Sequence, residues 1–164
     1  MASADGERST AAAFHIALAS SPEVPLLVEL MREFYAESGY PLDGDWAAQS
    51  FRALLADASL GSAWTARDRR ETAGYVVLTV RYALEHGGLE GWIDDLFVRA
   101  AHRRRGCATA LVDALADDCR RRGVVALHVE VGDTNAAAIA LYRRFGLQTR
   151  SDRRRVMSGR LAAR

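Results

Sequence analysis

The sequence predicts a mixed α/β domain, in which an antiparallel meander is followed by a strand, helix, strand, helix succession. Three observations lead there. The run Gly74-Tyr75-Val76-Val77-Leu78-Thr79-Val80 is β-branched and aromatic, as a central strand requires. After Gly106 the apolar positions Ala108, Leu111, Val112, Leu115 and Cys119 fall at helical spacing. A chain of 164 residues with 49% hydrophobic content supplies one compact core and not two.

Residues 1–12 are Ala, Ser and charge without period, and are expected to be a disordered leader, which leaves 13–164 as a single domain. Phe14 to Ala19 alternates weakly and reads as a first strand, ended by Ser20, Ser21 and Pro22. From Glu23 to Glu37, Leu26, Leu27, Leu30, Met31 and Phe34 make an apolar stripe, with Glu29, Glu33 and Glu37 opposite. This is an amphipathic helix, closed by Ser38 and Gly39. A second helix, Asp45 to Ala56, follows the Tyr40-Pro41 turn. Extended runs at Ser62 to Arg67 and Thr72 to Leu84 are separated by Asp68-Arg69-Arg70-Glu71, and a third strand, Gly91 to Val98, follows the His86-Gly87-Gly88 reversal. The helix that begins at Gly106 ends at Gly123 after three Arg, residues suited to a helix C-terminus. Val124 to Val131 then reads as a strand, Asn135 to Phe145 as a helix closed by Gly146, and Leu147 to Leu161 as two short strands.

Composition narrows the function classes. No apolar run is long enough to span a bilayer, and Asp5, Glu7 and Arg8 do not fit a secretory leader, so a cytoplasmic protein is expected with no membrane partner. Cys107 and Cys119 fall on one helix, too far apart to bridge, and the four His at 15, 86, 102 and 128 show no ligand spacing. Neither a disulfide nor a metal is expected. The net charge of +1 hides a division: residues 1–98 carry 7 Arg against 15 acidic residues, and residues 99–164 carry 15 Arg against 6, with no Lys anywhere. One half suits a cationic ligand and the other an anionic one, unless both are simply solvated surface.

The most informative stretch is Trp92-Ile93-Asp94-Asp95-Leu96-Phe97-Val98 leading to Arg103-Arg104-Arg105-Gly106-Cys107-Ala108. A strand that enters a helix through such a turn gathers unpaired backbone N–H groups where the helix dipole favours negative charge. That is an anion site. Neither the GxxxxGK(S/T) phosphate loop nor GxGxxG occurs, so no nucleotide P-loop or Rossmann fingerprint is present.

Arg103-x-x-Gly106-x-Ala108 resembles the (Q/R)xxGx(G/A) signature of the GNAT superfamily of N-acetyltransferases. Asn135 and Leu141-Tyr142-Arg143-Arg144-Phe145-Gly146 stand where a second family element is expected, and the resemblance covers roughly residues 72 to 150. It implies a mostly antiparallel central sheet flanked by about four helices, with acetyl-CoA as co-substrate. Leu96, Phe97 and Val98 would contact the pantetheine arm through their backbone, and Arg103, Arg104, Arg105, Gly106, Cys107, Ala108 and Thr109 would surround the pyrophosphate. Asn135 and Ala138 would lie toward the pantetheine end, and Tyr142 would protonate the departing thiolate. A Tyr on the face of Ala138 and Ile139 also suits plain core packing.

Asp94 and Asp95 interrupt an apolar strand, where an ionised carboxylate is costly without a partner. Their placement resembles the Leu-Glu-Asp strand of the diamine acetyltransferase branch, which puts Asp94 at the position of the catalytic acid and Asp95 beside it. An ion pair with Arg81 on the adjacent strand is the structural alternative. Adjacent strand residues point to opposite faces, so only one Asp can enter a given pocket unless the strand is bulged. An alkyl amine of pKa about 10.4 must lose a proton before it attacks, an uphill step of about 4–5 kcal/mol at pH 7. Asp94 is the expected base, and backbone N–H near Val98 the expected oxyanion donor. Cys107 is a poor covalent relay, with no His suitably placed.

The acceptor region implied by the family holds Glu33, Glu37, Tyr35, Tyr40, Asp43 and Trp46, which suits a cation such as a polyamine-like or aminoglycoside-like amine. The Glu stripe equally suits a solvated helix face. A peptide N-terminal acetyltransferase is the alternative enzyme, a non-catalytic acyl-CoA-binding regulator the alternative of another class, and a homodimer is expected by family analogy. A nucleic-acid module is disfavoured because no aromatic residues interleave with the Arg.

Overall fold

The computed structural model describes residues 14–149. The 1–12 leader lies outside the described residues, as does 150–161 of the segment read as two short strands, and Leu147, Gln148 and Thr149 belong to no regular element. Strands β1 (His15–Leu18), β2 (Gly61–Asp68), β3 (Glu71–Ala83), β4 (Gly88–Val98) and β5 (Val124–Val129) form one sheet in that order. Pairing is antiparallel from β1 to β4 and parallel between β4 and β5. The meander therefore has four strands: His15–Leu18 pairs with Trp64 to Arg67. β4 begins three residues earlier than the sequence suggests, because the β3–β4 hairpin keeps pairing as far as Ala83 and Gly88.

Helices α1 (Val24–Ser38) and α2 (Gly44–Ala56) lie on one face, and α3 (Cys107–Arg122) lies on the other, with α4 (Ala136–Arg144) contributing to the same core as α3. Capping sets their limits. Asp43 accepts from the N–H groups of Asp45 (2.9 Å) and Trp46 (3.1 Å), Asn135 accepts from Ala138 N–H (3.1 Å), and α1 and α3 both stop at left-handed glycines. β3 is central and buried on both faces, which is why it reads as a continuous apolar run. Its Tyr75 and Val77 join Leu27, Leu30, Met31 and Phe51 under α1 and α2, while Val76 and Leu78 join Leu111, Val112 and Leu115 of α3. Fully burying each of these α3 side chains stabilises the fold by about 1.5–3 kcal/mol.

Ion pairs join α1 to the end of β4. The Arg99 guanidinium holds Glu33 with two nitrogens (2.9 and 2.6 Å), Glu29 (2.5 Å) and the Thr72 carbonyl (3.0 Å), and Arg103 reaches Glu37 (2.6 Å). These contacts fix α1 beside the turn that leads into α3.

β3 and β4 come closest at Gly74, where an added Cβ would stand 2.2 Å from the Phe97 carbonyl oxygen. Gly74→Ala is expected to cost about 1–3 kcal/mol through this overlap, read as a lower urea midpoint; an unchanged midpoint would contradict the close approach.

Candidate active site

The β3–β4 register slips by one residue between Val77, opposite Asp95, and Leu78, opposite Ile93. Asp94 is the extra residue. This bulge interrupts alternation so that Asp94 and Asp95 both line the cavity between the sheet and the first two helices. The cavity holds about 590 Å³ and is walled by Met31, Tyr35, Trp46, Phe51, Leu54 and Thr79, among others.

The two carboxylates differ in setting. Asp95 is 8% exposed and accepts a hydrogen bond from the hydroxyl of fully buried Tyr75 (2.8 Å). Burial pushes its pKa up to about 6, partly offset by the Tyr75 bond and reinforced by Asp94. Asp94 is exposed at the cavity, yet desolvation still raises its pKa; a Thr79 hydrogen bond works against the rise and the Glu130 charge adds to it. Glu130, just past the end of β5, is thus a third carboxylate acting on the site, and Tyr75 and Thr79 are its hydrogen-bonding supports. Sequence reasoning passed over all three. The alternation of β5 was the available signal for Glu130, since the parallel pairing of Trp92 with His128 puts it near Asp94.

A second feature adjoins the cavity. β4 and β5 pair only as far as Ile93 and Val129, while β4 continues to Val98. The β4 edge from Asp94 onward thus has no β5 partner. The chain then passes through a turn in which Arg104 (φ 61°) and Gly106 (φ 88°) adopt left-handed backbone, and α3 begins. The first backbone bond at this end runs from Ala110 N–H to the Gly106 carbonyl. The N–H groups of Cys107, Ala108 and Thr109 precede it, at the positive end of the α3 dipole. An unpaired strand edge beside unpaired helix amides suits a ligand with an extended amide arm and a diphosphate, so the residues present fit coenzyme A.

The Arg side chains are otherwise engaged. Arg103 donates to the Val98 carbonyl (2.7 Å) and to Glu37, and Arg105 pairs with Asp68 (2.8 Å). Arg104 is exposed at the turn. Cys107 is buried with its thiol pushed up to about 11 by desolvation, which keeps it protonated at neutral pH. The Phe97 ring packs with Phe34 in the α1 and α2 core, its carbonyl faces β3 beside Gly74, and the Val98 carbonyl accepts from Arg103, so the backbone left facing the open edge is that of Leu96 and the Val98 N–H.

Several expected positions have other partners in the structure. Glu33 and Glu37 are held by Arg99 and Arg103 and do not line the cavity. Tyr40 is 66% exposed and reaches the cavity only through an edge contact with Tyr35 (ring centroids 6.0 Å apart). Arg81 pairs with Glu90 (2.9 Å) rather than with Asp94 or Asp95. The carbonyl oxygen of the Asn135 side chain and the N–H of Ala138 are used up in capping α4. Tyr142 is buried in the core shared with α3, and desolvation pushes its hydroxyl up to about 12. The His residues are less scattered than their spacing suggests, for His86 and His128 both meet Glu90.

Residues 25–147 match the Acetyltransferase (GNAT) family, and the chain belongs to that family. The (ribosomal protein bS18)-alanine N-acetyltransferase of Escherichia coli is 38% identical over 65 residues, 40% of this chain, and the match spans under half (44%) of that relative's length. The Salmonella typhimurium protein of the same name is 30% identical over 139 residues, covering 85% of this chain and 84% of its own. Among solved structures, an integron cassette protein from a salt-marsh metagenome is 36% identical with a TM-score of 0.79, covering 90% of this chain and 91% of its own. An aminoglycoside acetyltransferase from an uncultured soil sample is 25% identical with a TM-score of 0.68, covering 90% and 99%.

The raised pKa of Asp95 makes stability depend on pH in a definite sense. The fold favours the protonated acid, so stability falls as pH rises from the unfolded value near 4 through about 6, and above that the full cost is present, on the order of 3 kcal/mol. Asp95→Asn still accepts from Tyr75 and carries no charge. It is expected to be more stable than the parent at pH 8, with the difference shrinking toward pH 4 in urea unfolding; a gap that stays constant with pH would contradict the assignment.

Proposed function

We propose that the protein transfers the acetyl group of acetyl-CoA to a primary amine, with Asp94 taking the amine proton. The observation that carries this reading is the β4 bulge, which sets two carboxylates in one cavity beside the unpaired strand edge and the α3 amides. Bound acetyl-CoA supplies an activated thioester. The α3 N-terminal amides hold the diphosphate, and the open edge from Leu96 to Val98, through the Leu96 backbone and the Val98 N–H, aligns the arm. Backbone N–H groups at that edge are available to a developing oxyanion.

The cavity favours a cation. Its carboxylates are partly desolvated, and Tyr35 and Trp46 offer ring faces to an ammonium group. A base raised by desolvation, as Asp94 is, is better matched to the departing proton than an ordinary carboxylate. Tyr142, with its hydroxyl near 12, stays protonated through the cycle and serves the departing thiolate as a hydrogen-bond donor. The acceptor is a small cationic amine, polyamine-like or aminoglycoside-like. One observation favours a second reading, a peptide α-amine: the Salmonella relative, matched over most of its length, is a ribosomal-protein-alanine N-acetyltransferase. An α-amine of pKa about 8 also asks less of a carboxylate base than an alkyl amine near 10.4 does.

Thiol release from acetyl-CoA is the direct assay, run against polyamines, aminoglycosides and alanine-initiated peptides. Turnover is expected with at least one class, falling tenfold or more in Asp94→Asn and in Tyr142→Phe; undiminished rates in both variants would remove the assigned roles. The pH profile separates base from neighbour. Removing the Glu130 charge lowers the Asp94 pKa, so Glu130→Gln is expected to move the acidic limb of kcat/KM to lower pH. Loss of turnover at every pH in that variant would instead assign the base to Glu130.

A further inference from the structure

Four residues before Asp94 on the same strand, Glu90 is 2% exposed, and its carboxylate is met from three elements. Oε1 lies 2.5 Å from His86 Nδ1 on the hairpin turn and 3.3 Å from His128 Nε2 on β5. Oε2 accepts from Arg81 Nε on β3 (2.9 Å), with Arg81 Nη2 also at 2.9 Å. The donor atoms of His86, Glu90 and His128 all lie within 4.8 Å of one another. His128 Nε2 is buried yet has no aligned hydrogen-bond partner among the described residues. Its ring is held in place by stacking on Trp92 (centroids 4.9 Å apart).

We propose that His86, Glu90 and His128 form a binding site for a divalent transition metal of the zinc type. Two imidazoles and a carboxylate are the donor set that zinc takes with three protein ligands and one open position. Tetrahedral bonds of about 2.0–2.2 Å put donor atoms about 3.3–3.5 Å apart. The Glu90 to His128 separation already meets that requirement. His86 has to retreat by under about 1 Å, and its side chain, 30% exposed on the hairpin turn, has room to do so. Arg81 supplies the outer support: by occupying Oε2 it leaves Oε1 turned toward the two rings. The guanidinium also opposes a dication, which weakens the affinity. Asp94 is about 13 Å along the strand at about 3.3 Å per residue. The metal therefore clips the β3–β4 hairpin to β5 and takes no part in acetyl transfer.

The test uses untagged, full-length protein stripped with chelator, titrated with zinc chloride by calorimetry and with cobalt(II) by visible absorption. One equivalent of zinc is expected, with the intense cobalt bands of a tetrahedral site and a rise in the thermal midpoint. His86→Ala and His128→Ala should each weaken binding about tenfold to a hundredfold, while His15→Gln leaves it unchanged. His86 is on the turn, so its variant tests the site even where loss of the stacked His128 ring impairs folding, which circular dichroism would report. Absence of saturable zinc binding, weak octahedral cobalt bands, or affinity unaltered in His86→Ala would each overturn the site.

Discussion

The arrangement depends on where two parallel strands stop pairing. β4 is fully partnered by β3 along its length, but its other edge loses β5 after Ile93 and Val129. Backbone N–H and C=O groups near a core need partners, from protein, water or ligand. An edge left open on the inner side of a sheet is therefore a template for an extended chain with amide groups. The same strand feeds the turn into α3, so the helix amides stand at the end of that open edge. Connectivity alone brings the arm site and the anion site together, because the strand that opens is the strand that leads into the helix.

Part of the charge division along the chain is consumed inside the molecule. Acidic residues of the first half meet Arg of the second at Glu29 and Glu33 with Arg99, Glu37 with Arg103, and Asp68 with Arg105. These pairs hold α1 and the β2–β3 turn against the segment between β4 and α3. Exposed pairs of this kind contribute little each, but Arg99 unites two carboxylates and a carbonyl in one planar fork. The asymmetry seen in the sequence was a sign of intramolecular fastening rather than of two ligand-facing surfaces. Anion binding consequently rests on main-chain donors, with Arg104 the loop guanidinium exposed at the turn.

Periodicity was enough to read the elements. The Leu111, Val112, Leu115 stripe and the Tyr75 to Leu78 run specify which faces are buried, and the ends follow from Asp43, Gly39 and Gly123. The signature around Gly106 also located the turn correctly, because its left-handed backbone is a local property of the chain. What sequence could not supply was register. The slip at Asp94 is decided by how β3 and β4 pack together, and without it one of the two Asp residues would face α3. Contacts between residues far apart in sequence were equally hidden: Tyr75 to Asp95, Arg99 to Glu33, and His86 with His128 around Glu90. Spacing rules detect ligand sets carried on one element, and these sets are carried on three.

Placing two carboxylates side by side works against folding and in favour of chemistry. In this half-desolvated cavity the Asp94 charge raises Asp95, and the Glu130 charge raises Asp94. In the proposed reaction an arriving ammonium group relieves that repulsion, which is the basis for reading the acceptor as a cation. The same repulsion readies a proton acceptor. Against an alkyl amine near 10.4, an ordinary carboxylate near 3.9 leaves a gap of about 6.5 pKa units, which the desolvation of Asp94 narrows. For an α-amine near 8 the gap from an ordinary carboxylate is only about 4 units. Tyr75 keeps this from going further: by donating to Asp95 it favours the charged form and prevents the acid from becoming permanently neutral at pH 7. In the proposed reaction that charge keeps Asp95 as a partner for the amine cation while Asp94 takes the proton.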